Sequence, residues 1–182
     1  MEKRVLMIGE TSGFMVNAIV NGLKKEDYEV LPVMPNLNEI SRLENKPKLW
    51  TLYLDAKVLE QDELLIYLRD TAIELEAKLF LIGNKEELEE AHKVMTGVLT
   101  KDFERPFNVK QLADELDRAV EKEAMNEMKK SVLIVDENPT TLHSFKNMLS
   151  SKYRVYMANS GINAFTFLGK NQVDLILLDY EM

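Results

Sequence analysis

Carboxylates stand directly after apolar, strand-like runs at several points of this 182-residue chain. Asp136 and Glu137 follow Val132-Leu-Ile-Val135, Asp179 follows Leu175-Ile-Leu-Leu178, and the two aspartates are 43 residues apart. Glu10 and Asp55 follow comparable runs near the N-terminus at a separation of 45, against 42 for Glu137 and Asp179. Grouped carboxylates are hard oxygen donors of the kind Mg²⁺ accepts, and an aspartate oxygen held beside such an ion can attack an electrophile. Singly, the same residues do plainer work, because an acid after a strand caps the next helix or ends the strand. The joint occurrence in the second half favours chemistry. There the acids come with Asn138-Pro139, an N-cap and first-turn proline, and with the turn Asn159-Ser-Gly161.

Positioning such groups requires strands whose tips converge, and the chain contains the pattern twice. Val5-Leu-Met-Ile8-Gly9-Glu10 is restated as Val132-Leu-Ile-Val135-Asp136-Glu137. Short β-rich runs alternate with segments of helical period, which predicts βα units around a parallel sheet covered on both faces. Expected strands in the first copy are Arg4 to Ile8, Tyr28 to Val33, Leu49 to Leu54, Lys78 to Ile82 and Gly97 to Thr100. Phe14, Ile19, Val20 and Leu23 predict one inward helix face, Leu64, Leu65, Leu68, Ala72 and Leu75 a second. Leu112, Leu116, Ala119 and Val120 predict a third, on a helix from Val109. Glu121 to Lys130 has good helix formers and no Gly or Pro, so a helical linker is expected there. The predicted organisation is one module over 1–120, the linker over 121–130 and part of a second module over 131–182. In that second module Leu142, Phe145 and Leu149 should face inward, with strands at Ser131 to Val135, near Tyr153 to Met157, and a buried one at Asp174 to Leu178.

Composition narrows the function classes. A net charge of −8 opposes direct binding to nucleic acid or an anionic membrane. The absence of cysteine excludes disulfides and thiolate metal sites. No signal-peptide pattern and no apolar stretch of spanning length is present, so a cytoplasmic protein is expected. His92 and His143 read as ordinary surface or boundary residues, and the acidic run Lys85 to Glu90 as a solvated helix face. Gly9 to Gly13 lacks the lysine and spacing of a P-loop, which disfavours a flavin- or nucleotide-binding enzyme.

Both modules resemble receiver domains of two-component response regulators, the second more closely, through Val-Leu-Ile-Val-Asp136-Glu137, Ala158-Asn-Ser-Gly161 and Asp174-Leu-Ile-Leu-Leu-Asp179-Tyr-Glu-Met182. The first does so mainly through its five βα units, Asp55 and Arg105-Pro106-Phe107. The resemblance implies a flavodoxin-like (CheY-like) α/β fold with strand order 2-1-3-4-5 and chemistry at the strands' carboxyl ends. It implies that Asp179 accepts a phosphoryl group from a histidine kinase or phosphotransfer protein, and that Asp136, Glu137, Asp179 and the Glu181 backbone carbonyl hold Mg²⁺. In the first module it pairs Glu10 with Asp55 as a degenerate site. Gly9 there replaces the first acid, Gly83-Asn84 replaces the Ser or Thr that contacts the phosphoryl group, and the family lysine is either Lys101 or replaced by Arg105. The first module is accordingly expected to be a pseudo-receiver used for packing or partner binding. The second is expected to be truncated before strands four and five. Its third strand would then form an apolar edge open to homodimerisation or strand swapping. The function expected is regulatory self-phosphorylation rather than enzymatic turnover; the alternative is a phosphorylation-independent docking scaffold.

Overall fold

In the computed structural model, which describes residues 2–180, the chain divides into two units, Met1–Val120 and Glu121–Met182. Each is built on a parallel sheet.

In the first unit the strands are β1 (Arg4–Ile8), β2 (Glu29–Val33), β3 (Leu49–Tyr53), β4 (Lys78–Gly83) and β5 (Leu99–Glu104). Helices α1 (Phe14–Lys25), α2 (Leu37–Ser41), α3 (Ala56–Leu59), α4 (Asp62–Glu74), α5 (Lys85–Val94) and α6 (Val109–Glu127) complete the alternation. All pairings are parallel and the order is β2-β1-β3-β4-β5, the flavodoxin-like arrangement. Successive strand residues point to opposite faces, so strands covered on both sides must be apolar throughout. Leu6, Ile8, Trp50, Leu52, Leu79 and Leu81 pack with Leu64, Leu65 and Leu68 of α4 and Leu88 and Ala91 of α5. Their neighbours Val5, Met7, Leu49, Phe80 and Ile82 pack with Ile19, Val20 and Leu23 of α1 and Leu112 and Leu116 of α6.

The second unit contains β6 (Ser131–Val135), α7 (Pro139–Leu149), β7 (Arg154–Ala158), α8 (Gly161–Leu168) and β8 (Leu175–Leu178), with strand order β7-β6-β8. Leu133, Val135, Ala158 and Ala164 form one small core cluster and Val132, Ile134 and Leu142 the other.

Four expectations need correction. Phe14 is 84% exposed, because it lies nine residues from Leu23, about two and a half helical turns, and so on the opposite side of α1; Val16 takes the inward place. Phe145 is 39% exposed and stands outside the cluster that Leu142 forms with Leu149. The fifth strand runs from Leu99 to Glu104 rather than ending at Thr100. Its polar residues Lys101, Asp102 and Glu104 belong to a sheet edge, where apolar continuity is not required. Finally, β8 is exposed along its whole length, from 36% at Leu177 to 65% at Leu178, since among the described residues it has β6 on one side and no strand on the other. Among the described residues no helix is long and apolar enough to cross a membrane.

Candidate functional site

In the second unit β6 delivers Asp136 to the carboxyl edge of the sheet. The Asp136 amide donates to the Ala158 carbonyl at the end of β7 (3.1 Å), and its side chain is buried. One carboxylate oxygen accepts the Asn138 N–H at 2.7 Å, closing the turn into α7, while the Asn138 side chain accepts the Thr140 N–H at 2.9 Å. Glu137 is exposed beside it. Asp179 follows β8 directly, and its amide donates to the Val135 carbonyl at 2.8 Å. Asp136 and Asp179 thus leave adjacent strand ends, and Asp179 is half-buried. Among the described residues no group of three or more His, Cys, Asp or Glu side chains is arranged to hold a metal ion. Two carboxylates from neighbouring strands are nevertheless the donor type that Mg²⁺ accepts while keeping several waters. Glu181 lies outside the described residues.

Strand register fixes which residues of the two units correspond. Val5 pairs with Leu49 and Ile8 with Leu52, just as Val132 pairs with Leu175 and Val135 with Leu178. The Gly9 amide donates to the Val33 carbonyl (3.0 Å), as that of Asp136 does to Ala158. Gly9 therefore corresponds to Asp136, and the residue corresponding to Asp179 is Tyr53. Asp55 lies two residues beyond Tyr53, which corrects the equivalence of Asp55 with Asp179. Its carboxylate accepts the Val58 N–H at 2.9 Å and caps α3. Glu10 accepts the Ser12 hydroxyl at 2.7 Å. The signal for Tyr53 was available in the sequence: Lys48-Leu-Trp-Thr-Leu-Tyr53 set against Asp174-Leu-Ile-Leu-Leu-Asp179 aligns the strand openings without a gap.

The tips of β3, β4 and β5 carry a different constellation. Arg105 is the residue after β5, and its amide donates to the Gly83 carbonyl at 2.8 Å. Its guanidinium donates to the Tyr53 hydroxyl (2.6 Å) and the Leu54 carbonyl (3.4 Å), lies 4.7 Å from the Tyr53 ring centroid, and pairs with the Glu87 carboxylate. Burial works against the Arg105 charge, yet Glu87 and Tyr53 together hold its pKa above the ordinary value. Lys101, by contrast, lies within β5 and pairs with Glu115 of α6 at 2.7 Å. Arg105, not Lys101, thus stands at the strand end.

Glu87 is the residue the sequence hid. Its side chain is 17% exposed, against 67% for Glu89 of the same acidic run, so the run is not uniformly a solvated face. It completes a capping box: Asn84 accepts the Glu87 N–H (2.9 Å) and Glu87 accepts the Asn84 N–H (2.7 Å). A Cβ on Gly83 would stand 3.1 Å from that carboxylate. His92 is likewise engaged, its Nε2 lying 2.6 Å from Asp102.

No protein-family model matches the chain, and no curated protein sequence matches it. Among solved structures, NtrX from Brucella abortus is similar at a TM-score of 0.47 and 13% identity, over 81% of this chain and 40% of that one. The chain therefore spans less than half of NtrX, and a likeness this distant adds nothing on function to the strand order itself.

Proposed function

We propose that the chain is a response-regulator-type signalling protein whose second unit takes a phosphoryl group on Asp179 from a histidine kinase or phosphotransfer protein. The first unit serves as a degenerate interaction module. The observation that carries this reading is the placement of Asp136 and Asp179 on adjacent strand ends of a parallel sheet, fixed by the 2.8 Å bond from the Asp179 amide to Val135. An Asp179 carboxylate oxygen would attack phosphorus as the bond to a donor imidazole nitrogen breaks, and the imidazole would take up a proton. Asp136, Glu137, Asp179 and the Glu181 carbonyl would hold Mg²⁺, which when bound offsets the charge of the phosphoryl oxygens. The Asn138 N–H fixes one Asp136 oxygen, so that carboxylate is oriented before any ligand arrives. The product would be a self-modified switch in a cytoplasmic relay, with no metabolite turned over.

A second reading is a phosphorylation-independent dimerisation or docking scaffold, favoured by the exposed apolar edge of β8. Intact mass after exposure to a small phosphodonor separates the two. A single Mg²⁺-dependent adduct, lost in Asp179→Asn, supports the relay; no adduct at Asp179 leaves the scaffold.

A further inference from the structure

The cluster at the strand tips of the first unit has no role in the chemistry proposed for the second. Arg105 is the cation there, with Tyr53 beneath it at the position matching Asp179. Its Nη atoms are engaged by Tyr53, Leu54 and Glu87, while its Nε is buried and has no hydrogen-bond partner. The same Glu87 oxygen that meets Arg105 also accepts the Asn84 N–H, so it is anchored from both β4 and β5 sides of the site.

We propose that Glu87 is a resident anion: its carboxylate occupies the cationic strand end where a phosphoryl group would otherwise bind, and holds the first unit in one arrangement without any phosphodonor. This rests on the reading of the first unit as a degenerate receiver, and is independent of Asp179. A guanidinium already paired with a partly buried carboxylate gains little from an external anion. Deprived of that partner, it keeps its desolvation cost and its fork of donors matches phosphate. Gly83 serves the same end, because a side chain there would press on the carboxylate.

The test uses the full ¹⁵N-labelled chain carrying Asp179→Asn, with and without Glu87→Gln, titrated with inorganic phosphate at constant ionic strength. Glutamine retains an oxygen for the Asn84 N–H, so the cap survives. The amides of Gly83, Asn84 and Arg105 and the Arg105 Nε–H are followed. The expected result is a saturable response in the Glu87→Gln chain, with an apparent affinity at least about tenfold above that of the parent, equivalent to about 1.4 kcal/mol. Equal responses in the two chains overturn the proposal. If Glu87→Gln does not fold, Glu87→Ser, which also removes the charge, is titrated instead: a response above the parent's supports the resident anion and an equal one overturns it. Covalent uptake of a phosphoryl group by the first unit from a small phosphodonor, with the donor's leaving group released, would instead refute its reading as degenerate, and intact mass detects that separately.

Discussion

Replacing Gly9 by alanine probes whether the first unit's strand tips are as tightly closed as the structure has them. An added Cβ would lie 2.9 Å from Val16 Cγ2 and 3.1 Å from the Tyr53 Cβ. Val16 is 2% exposed on α1, and its β-branched side chain has one strongly preferred rotamer in a helix, so it cannot swing aside cheaply. Overpacking of this kind costs about 1–3 kcal/mol. Alanine also narrows the unfolded ensemble, which returns about 0.4–1 kcal/mol. The central values, about 2 and about 0.7 kcal/mol, leave a net loss of about 1.3 kcal/mol, or a fall of about 0.65 M in the urea midpoint for a slope of about 2 kcal/mol per M. Trp50 is the sole tryptophan and is fully buried in β3, so its fluorescence follows the first unit alone. In a Val16→Ala background the same substitution should cost less, since the atom it presses on is gone. A midpoint within about 0.2 M of the parent, on a slope of that size, would show that the contact is soft and the reasoning wrong.

Asn84→Ala removes one half of the capping box and should cost about 1 kcal/mol, read from the same Trp50 transition. Asp117 accepts the Tyr28 hydroxyl at 2.6 Å and pairs with Lys3 at 2.7 Å; burial opposes its charge, but these partners hold its pKa below the ordinary value. A carboxyl whose folded pKa is depressed stabilises the fold above its unfolded pKa of about 3.9, and that contribution is lost as pH falls through the lower folded value. The parent's advantage over Asp117→Asn in the urea midpoint should accordingly be full near neutrality and shrink below about pH 4; a gap that ignores pH would count against the assignment. Lysine at Ile176 or Leu178 should lower concentration-dependent association in sedimentation, since a charge on an open strand edge opposes pairing with another chain. Unchanged association would move the contact elsewhere.

Sequence pattern revealed the layered fold because strands buried on both faces must be apolar along their length, as Val5 to Ile8 and Leu79 to Ile82 are. The polar strand at Lys101 to Glu104 escaped for the converse reason, being at the sheet's edge. The placement of Asp136 and Asp179 at strand ends of the second unit was legible from type and spacing. In the first unit the nearest acid, Asp55, was an attractive but wrong counterpart of Asp179, because the choice depends on how β3 slides against β1, a property of two strands together. Glu87 was invisible in an acidic run, as nothing local distinguishes the one carboxylate that α5 turns toward Arg105. Phe14 misled because it is apolar and close to the stripe, although rotation puts it on the far side.

The packing of Gly9 against Tyr53 ties two strand tips of the first unit together. Glycine at position 9 leaves just the room that Tyr53 and Val16 need, since any Cβ there would stand 3.1 Å from the Tyr53 Cβ and 2.9 Å from Val16 Cγ2. An aspartate placed at position 9 would meet the Tyr53 Cβ and Val16, while one placed at position 53 would strip Arg105 of its ring and hydroxyl and set a second carboxylate near Glu87. Either change made alone therefore disturbs the surroundings of the other position. The tips of β1, β3 and β5 consequently behave as one packed assembly, in which the residue at one strand end limits what its neighbours can be.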